Sequence, residues 1–282
     1  MFPNKIFLTC KEKNNITNKT WNKCLNKYRE MYNDYQIKIY ENEDIYRLVK
    51  KHFPEHLKLI KSLQNGGNIS DTFRYLILYL EGGIYSDLDC LPLKHINALF
   101  KDKHFHGNNY NKFYIYPGDI PLNDNRWDFY INPCDNCKLM GKQNNILIYE
   151  CLGHNYILPT TKIVICKEFS EIYQHTNNLN QLCQWFIIAQ PYQKIFLDLY
   201  LQAIENLKKN IEDVLVCTGP KMFTKVINSS DVKDLVVLPC DFFCAGSGCK
   251  VPVTKNSYIH HQFTNSWIIK KKNKNKNKNK KT

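Results

Sequence analysis

The residues with the clearest capacity for chemistry lie in the segment IYSDLDC at positions 84–90, where one residue separates two aspartates. The segment is predicted to be a strand, in which alternate side chains share a face. Asp87 and Asp89 are therefore expected to point the same way as Tyr85. Two carboxylates that converge on one point, with no soft ligand nearby, suit Mg²⁺ or Mn²⁺.

An Asp-X-Asp pair is weak evidence by itself, because aspartate is also favoured in turns at strand ends. The preceding segment strengthens the metal interpretation. Over residues 69–81 the apolar positions repeat along one face of a predicted helix, and Asp71 and Arg74 lie off that face. A purely structural interpretation of both stays open, with Asp71 as a first-turn acid and Arg74 as its i,i+3 ion-pair partner.

The predicted topology brings these residues together. Gly82 and Gly83 suit the left-handed conformation that ends helices, so the chain returns directly into the strand with the two acids. That strand is expected to break at Pro92, and ligands of open α/β sheets bind beyond the carboxyl ends of strands. The acids are expected to lie outside the core, so Asp89→Ala should leave the fold intact.

The string SDTFRYLILYLEGGIYSDLDCLPL at residues 70–93 closely resembles the SDxxRYxxLyxyGGiYxDxD signature of glycosyltransferase family 32. These are DXD-containing sugar transferases related to yeast α-mannosyltransferases and the glucosylating clostridial toxins. Three shorter segments extend the resemblance over residues 2–267: FPNKIFLTC resembles the family's opening IPKIIHQTW, CTGPKMFT its TGP element before a helix, and HQFTNSW its C-terminal HHWxxSW.

The resemblance implies a GT-A fold, with a Rossmann-like, mostly parallel sheet that binds a nucleotide-sugar and a divalent cation, Mn²⁺ or Mg²⁺. It implies that Asp89 is the direct metal ligand and that Asp87 is shared between the metal and the ribose or sugar. His261 matches the first histidine of the C-terminal element, where a further metal or diphosphate ligand is common. His260 takes that role if the alignment shifts by one residue, and a strand histidine packed against Trp267 is the structural alternative.

The same resemblance implies that Asp71 and Arg74 hold the donor sugar and its phosphate as catalytic residues, and that Tyr85 lies beside the nucleotide. It also implies transfer with retention of configuration to a glycan, protein or lipid acceptor, without a dedicated base. In the opening segment, Phe7, Leu8 and Cys10 replace the family's His, Gln and Trp. The identity of the base is therefore left open.

The remaining elements fit an α/β chain with one domain over residues 1–269. Strands are predicted at 2–10 and 35–40 with a helix at 20–34 between them, and helices at 42–52 and 54–64 are followed by a loop at 64–68. Residues 101–160 have no sustained period and are interpreted as loops and short strands. Two helices within 179–208 broken at Pro191, strands in DVLVCTGP and DLVVLPC, and a last strand in SYIHHQFTNSW complete the prediction.

The charge of the chain is concentrated at one end. The 282 residues carry a net charge of +13, but positions 270–282 read KKKNKNKNKNKKT, so their eight lysines leave only +5 for the rest. A like-charged tail without apolar residues is expected to be disordered. A nucleic-acid-binding protein is disfavoured because the tail has no interleaved aromatic residues. A degenerate sugar-nucleotide-binding relative without turnover remains a further alternative.

Twelve cysteines occur in a chain whose start lacks a secretory signal, which predicts reduced thiols and a cytoplasmic location. No run approaches the ~18 apolar residues of a membrane span. Cys134 and Cys137 have metal-ligand spacing, but a structural zinc site usually needs a second pair. Zinc and free thiols in a turn both stay open for this pair.

Overall fold

The computed structural model describes residues 2–13, 16–101, 111–115, 137–143, 146–151, 161–168, 181–232, 234–238, 240–246 and 251–264, with the backbone alone for the strands between 111 and 151. Trp267, Cys134 and the tail at 270–282, each with a prediction above, lie outside these residues. Within them, no helix has the length and apolar character needed to cross a bilayer. The eight cysteines whose side chains are described are buried free thiols.

The helices of the described chain are α1 (Lys19–Met31), α2 (Asn42–His52), a 3₁₀ turn (Pro54–His56), α3 (Leu57–Ser62), α4 (Gly66–Glu81), α5 (Asn97–Lys101), α6 (Lys194–Lys208), α7 (Val214–Cys217) and α8 (Pro220–Asn228). The strands are β1 (Lys5–Thr9), β2 (Gln36–Tyr40), β3 (Gly83–Ser86), β4 (Cys90–Pro92), β5 (Asn111–Ile115), β6 (Cys137–Gln143), β7 (Ile146–Cys151), β8 (Ile163–Cys166), β9 (Phe186–Ala189), β10 (Leu235–Leu238) and β11 (Ile259–His261).

A six-stranded sheet of order β10-β8-β9-β3-β1-β2 forms the centre of the fold. Its neighbours pair in parallel except at β9, which is antiparallel to both β3 and β8. The predicted α/β class with a mostly parallel sheet is confirmed. Strands β4 and β11 form a separate antiparallel pair, and β5, β7 and β6 form a three-stranded sheet.

Both faces of the central sheet are buried, as expected for a largely parallel sheet. Alternate residues of β1 enter different core clusters, with Ile6 and Leu8 in one and Phe7 in the other. The first cluster includes residues of α1, and the second includes residues of α4 and α6. Helix α4 therefore lies directly on the sheet, with nine buried side chains from Ile69 to Leu78.

The N-terminal half follows the sequence prediction closely, since β1, α1, β2 and α2 all form where expected. One boundary was wrong, because α4 begins at Gly66 and not after the predicted loop. Asn65 caps the helix, with its side-chain oxygen accepting from the N–H of Gly67 at 2.7 Å. This N-cap stabilises a first helical turn that begins with Gly66 and Gly67.

Three predictions in the C-terminal half were wrong. Residues 186–189 form β9 where a helix was predicted, residues 214–217 form α7 where a strand was predicted, and β8 was missed. All three segments are apolar runs of four residues, a length at which periodicity does not separate strand from helix. Tertiary pairing decides between them: β9 inserts between β3 and β8, whereas Asp213 caps α7 by accepting from Leu215 N–H at 2.9 Å.

Gly82 is expected to be intolerant of any side chain. Its φ is 59°, and a Cβ there would come within 2.5 Å of the backbone nitrogen of Pro191. Because positive φ and overpacking each cost about 1–3 kcal/mol, Gly82→Ala should lower the free energy of unfolding by about 2–6 kcal/mol. Denaturant unfolding measures this loss. Gly66→Ala is the matched control, since nothing lies within 4 Å of its Cβ position; an equal loss in both variants would contradict the prediction.

Candidate active site

The segment with the two aspartates is not one strand. β3 ends at Ser86, β4 begins at Cys90, and a turn between them is closed by the Cys90 N–H, which donates to the Asp87 carbonyl at 3.1 Å. The prediction that Asp87 and Asp89 share a strand face was therefore wrong, because the turn gives each acid its own set of partners. Both still lie just beyond the carboxyl end of β3, at the edge expected for a ligand site.

Arg74 on α4 is the centre of the first set. Its Nη1 lies 2.8 Å from Asp71 Oδ1, and its Nη2 lies 2.8 Å from Asp87 Oδ1. The same Nη2 donates to the Tyr85 hydroxyl at 3.2 Å, and that hydroxyl donates to Asp87 Oδ1 at 2.7 Å. The guanidinium also lies over the Tyr85 ring, 4.7 Å from its centroid. The structure thus brings four of the predicted site residues into one contact group.

This group is more buried than its position off the apolar helix face suggested. Arg74 is 3% exposed and Asp71 4% exposed, whereas the Asp87 side chain is 30% exposed. The burial follows from the packing of α4, since the sheet, α6 and α7 all contact it. Asp87 is therefore the acid of this group that solvent or a ligand reaches most readily.

Two further residues hold Asp71 in place. The Thr218 hydroxyl donates to Asp71 Oδ2 at 2.8 Å, and the Gln184 amide donates to Oδ1 at 3.1 Å. The Tyr75 hydroxyl lies 2.7 Å from both Gln184 Oε1 and the Thr218 carbonyl. Sequence reasoning assigned none of these roles. Thr218 belongs to the quoted CTGP element, but nothing near Gln184 marked that residue.

Asp89 has a separate environment at the β4–β11 pair. Its Oδ1 lies 3.2 Å from His261 Nε2, and its Oδ2 accepts from both the Thr264 backbone N–H at 2.9 Å and the Thr264 hydroxyl at 2.8 Å. The His261 ring stacks on Trp185, with centroids 4.4 Å apart. Of the two adjacent histidines, His261 is the one that faces Asp89.

The partners of each acid set its pKa. Burial alone would raise the pKa of Asp89, but hydrogen bonds from His261 and Thr264 outweigh it and lower the pKa to about 2. Burial raises the pKa of Asp71 to about 6, in spite of Arg74 and Thr218. Burial also raises the pKa of Asp87, with Arg74 opposing the rise and Asp89 adding to it. Asp89 is thus the acid most strongly held in its anionic form.

The donor atoms around Asp89 fit a divalent cation. A separation of 3.2 Å between a carboxylate oxygen and an imidazole nitrogen matches two adjacent ligands at metal distances of about 2.1 Å. Within the described residues, Asp89, Cys90 and His261 form one group whose ligand atoms all lie within 4.8 Å of one another. A thiol thus lies nearby, which corrects the expectation of no soft ligand. Asp87 is outside this group, and its metal contact remains a prediction.

Comparison with known proteins agrees with the motifs. Residues 18–106, which contain α4 and the aspartate turn, match the family described as "Glycosyltransferase sugar-binding region containing DXD motif". The chain is 25% identical over 230 residues to the initiation-specific alpha-1,6-mannosyltransferase of Schizosaccharomyces pombe. That alignment covers 70% of this chain and 46% of the relative, so the chain spans about half the relative's length.

Two solved glycosyltransferases align with the chain at low identity. Mouse xyloside xylosyltransferase 1 aligns with a TM-score of 0.44 and 12% identity over 93% of this chain and 97% of its own. The PaToxG glycosyltransferase aligns with a TM-score of 0.43 and 14% identity over 80% of this chain and 69% of its own. Residues 18–106 of this chain are thus similar to the sugar-binding region of the DXD-containing glycosyltransferases, the family that the motifs resemble.

Proposed function

We propose that this protein is a metal-dependent glycosyltransferase that moves a sugar from a nucleoside diphosphate to an acceptor hydroxyl with retention of configuration. One observation carries the proposal: the contact group of Arg74, Asp71, Tyr85 and Asp87 lies at the same strand end as the Asp89–His261 pair. We assign the activity to one GT-A domain over residues 1–269 and treat the tail at 270–282 as an accessory. The acceptor is a glycan, protein or lipid.

The two parts of the site have different roles, one in cation binding and one in supplying a fixed positive charge. Asp89 and His261, with Asp87 alongside, would hold Mn²⁺ or Mg²⁺, which supplies Lewis-acid stabilisation of the charge that develops on a leaving diphosphate. Arg74 adds a fixed positive charge held in place by Asp71 and Asp87. Fixed charges that need no reorganisation are the most effective form of transition-state stabilisation.

The protein side of the site is arranged to orient a donor. Asp87 is the partly exposed acid, and its Oδ1 is held by Arg74 and Tyr85, so its carboxylate has one orientation in which to meet hydroxyl groups. The Nε–H of Arg74 is buried and has no hydrogen-bond partner among the described residues. Unsatisfied buried donors are rare in folded proteins, and a catalytic or binding role is one of their known explanations. These features support a donor sugar and its phosphate at this position.

A panel of nucleotide-sugars tests the proposal. Because the curated relative is named a mannosyltransferase, mannose donors come first, followed by other guanosine and uridine diphosphate sugars. The correct donor at about 100 times its Kd should add ~2.7 kcal/mol of stability with Mn²⁺ present, and chelation should remove that gain. Slow donor hydrolysis or transfer should show the same metal dependence.

Each other result has a defined meaning. Stabilisation by a donor without any hydrolysis or transfer would identify a non-catalytic sugar-nucleotide-binding relative. Turnover that is unchanged by chelation would remove the metal from the mechanism. If no donor has any effect, and if the protein retains nucleic acid only when residues 270–282 are present, nucleic-acid binding would be favoured instead, although the sequence disfavours it.

A further inference from the structure

The carboxylate of Asp89 is fixed on one side by a residue that the motifs leave unassigned. Thr264 lies three residues beyond the end of β11, and it donates two hydrogen bonds to the same oxygen, Asp89 Oδ2. With Oδ2 engaged twice, the carboxylate is prevented from rotating about its terminal torsion. Oδ1 is thereby held toward His261, which lies 3.2 Å away.

The hydroxyl of Thr264 is itself oriented by a residue from the opposite end of the chain. Trp21 on α1 donates its indole N–H to Thr264 Oγ1 at 3.2 Å. The two hydrogen bonds Trp21–Thr264 and Thr264–Asp89 form a relay. Its direction is fixed, because an indole N–H only donates and a hydroxyl has one proton to donate. It runs from Trp21 to Thr264 and from Thr264 to Asp89, across 243 positions of sequence at the first step.

We propose that Thr264 and Trp21 are positioning residues that present one oxygen of Asp89, beside the imidazole of His261, to the divalent cation. The inference rests on the proposed function, since it concerns the cation assigned there. It extends that function to two residues outside the Asp-X-Asp motif. Neither residue needs to touch the donor or the cation, because both act through the orientation of Asp89.

The relay also agrees with the separation of the two acids. Asp87 is turned toward Arg74, whereas Thr264 draws Asp89 toward β11. Asp89 is 8% exposed and would be costly to bury as an anion without these donors. Partners of metal ligands that fix orientation typically change metal affinity by about 10–100-fold when they are lost.

The test measures Mn²⁺ binding directly on the full chain, by the free Mn²⁺ signal in electron paramagnetic resonance. Thr264→Val removes the hydroxyl but keeps the shape and the backbone N–H, so Mn²⁺ affinity should fall about 10-fold or more. Thr264→Ser restores the hydroxyl and should bind within about 3-fold of wild type. Trp21→Phe, which removes only the indole donor, should give an intermediate loss. At saturating Mn²⁺, turnover of Thr264→Val should recover toward that of wild type.

Thr254→Val is the matched control for general loosening of the C-terminal segment. Thr254 donates to Asp241 Oδ2 at 2.7 Å and makes no described contact with Asp89, so its loss should leave Mn²⁺ affinity unchanged. Equal affinity in wild type and Thr264→Val, or equal loss in the Val and Ser variants, would overturn the inference. If Thr264→Val fails to fold, Trp21→Phe decides alone. A wild-type protein that binds no Mn²⁺ would instead remove the metal from the proposed function and, with it, this role.

Discussion

Replacing Asp89 by asparagine is expected to reduce metal-dependent sugar transfer by about 1000-fold or more while the protein stays folded. The charged oxygen that faces His261 is lost, and a cation contributes several kcal/mol to stabilising a leaving diphosphate. An asparagine oxygen still accepts from Thr264, and its amide group faces the His261 ring. The loss should therefore appear in Mn²⁺ affinity and in donor turnover, both of which are measured directly.

Asp89→Ala does not test the metal role by itself. The expectation from the sequence that this substitution leaves the fold intact was wrong. Asp89 is only 8% exposed, and its removal would leave the Thr264 donors without their acceptor. Buried donors left unsatisfied cost about 1–3 kcal/mol each, so Asp89→Ala should lose stability as well as activity. Asp89→Asn separates the two effects.

Asp198→Asn is the control for removing an acid in general. Among the residues that the structure describes, Asp198 pairs only with Lys194 on the surface of α6, in an i,i+4 ion pair, so Asp198→Asn should leave turnover unchanged. Wild-type turnover in Asp89→Asn, measured with saturating donor and limiting Mn²⁺, would contradict the metal assignment.

Helix α4, its end at Gly82 and strand β3 were predictable from sequence because local rules determine them. Gly82 and Gly83 have φ of 59° and 94°, the left-handed region expected for a glycine pair that ends a helix. The apolar period over residues 69–81 correctly predicted one core-facing side of α4, but Asp71 and Arg74, which lie off that side, are buried as well. The turn at Asp87–Asp89 was missed, although aspartate is favoured in turns at strand ends.

The partners of the acids were not predictable in the same way. Gln184, Thr218 and Thr264 reach Asp71 or Asp89 across 113, 147 and 175 positions of sequence. Each is a single polar residue, and the hydrophobic pattern around it predicts only the secondary structure of its own segment. Gln184 precedes β9, which pairs with β3, whereas Thr264 follows β11, which pairs with β4. A single sequence does not encode that pairing in any local period, so the contacts emerge only from the folded chain.

Arg74→Met is expected to lower the free energy of unfolding by about 3–5 kcal/mol near neutral pH and to abolish transfer. Methionine fills much of the same space, but Asp71 and Asp87 then lose the cation that lies 2.8 Å from each. Arg74→Lys should be intermediate, because a single ammonium cannot contact both acids and the Tyr85 hydroxyl with the fixed geometry of a guanidinium. Urea unfolding and donor turnover measure the two effects.

The double variant Asp71→Asn/Arg74→Met separates charge from shape. Neutralising Asp71 removes one of the buried anions that Arg74 stabilises, so the double variant should be more stable than Arg74→Met alone while remaining inactive. If Arg74 contributed only packing, the two substitutions would add, and the double variant would be the less stable of the two.

The stability lost in Arg74→Met is expected to depend on pH in a defined direction. Burial raises the pKa of Asp71 from 3.8 to about 6, so between these values the folded protein holds a proton that the unfolded chain has released. Stability from this group therefore falls as pH rises, and it falls no further above the folded pKa. Without Arg74 the pKa of Asp71 rises higher, which extends the fall to higher pH. The deficit of Arg74→Met should be smaller near pH ~5 than near pH ~8; an equal deficit at both would show that Arg74 does not act through the charge of its acids.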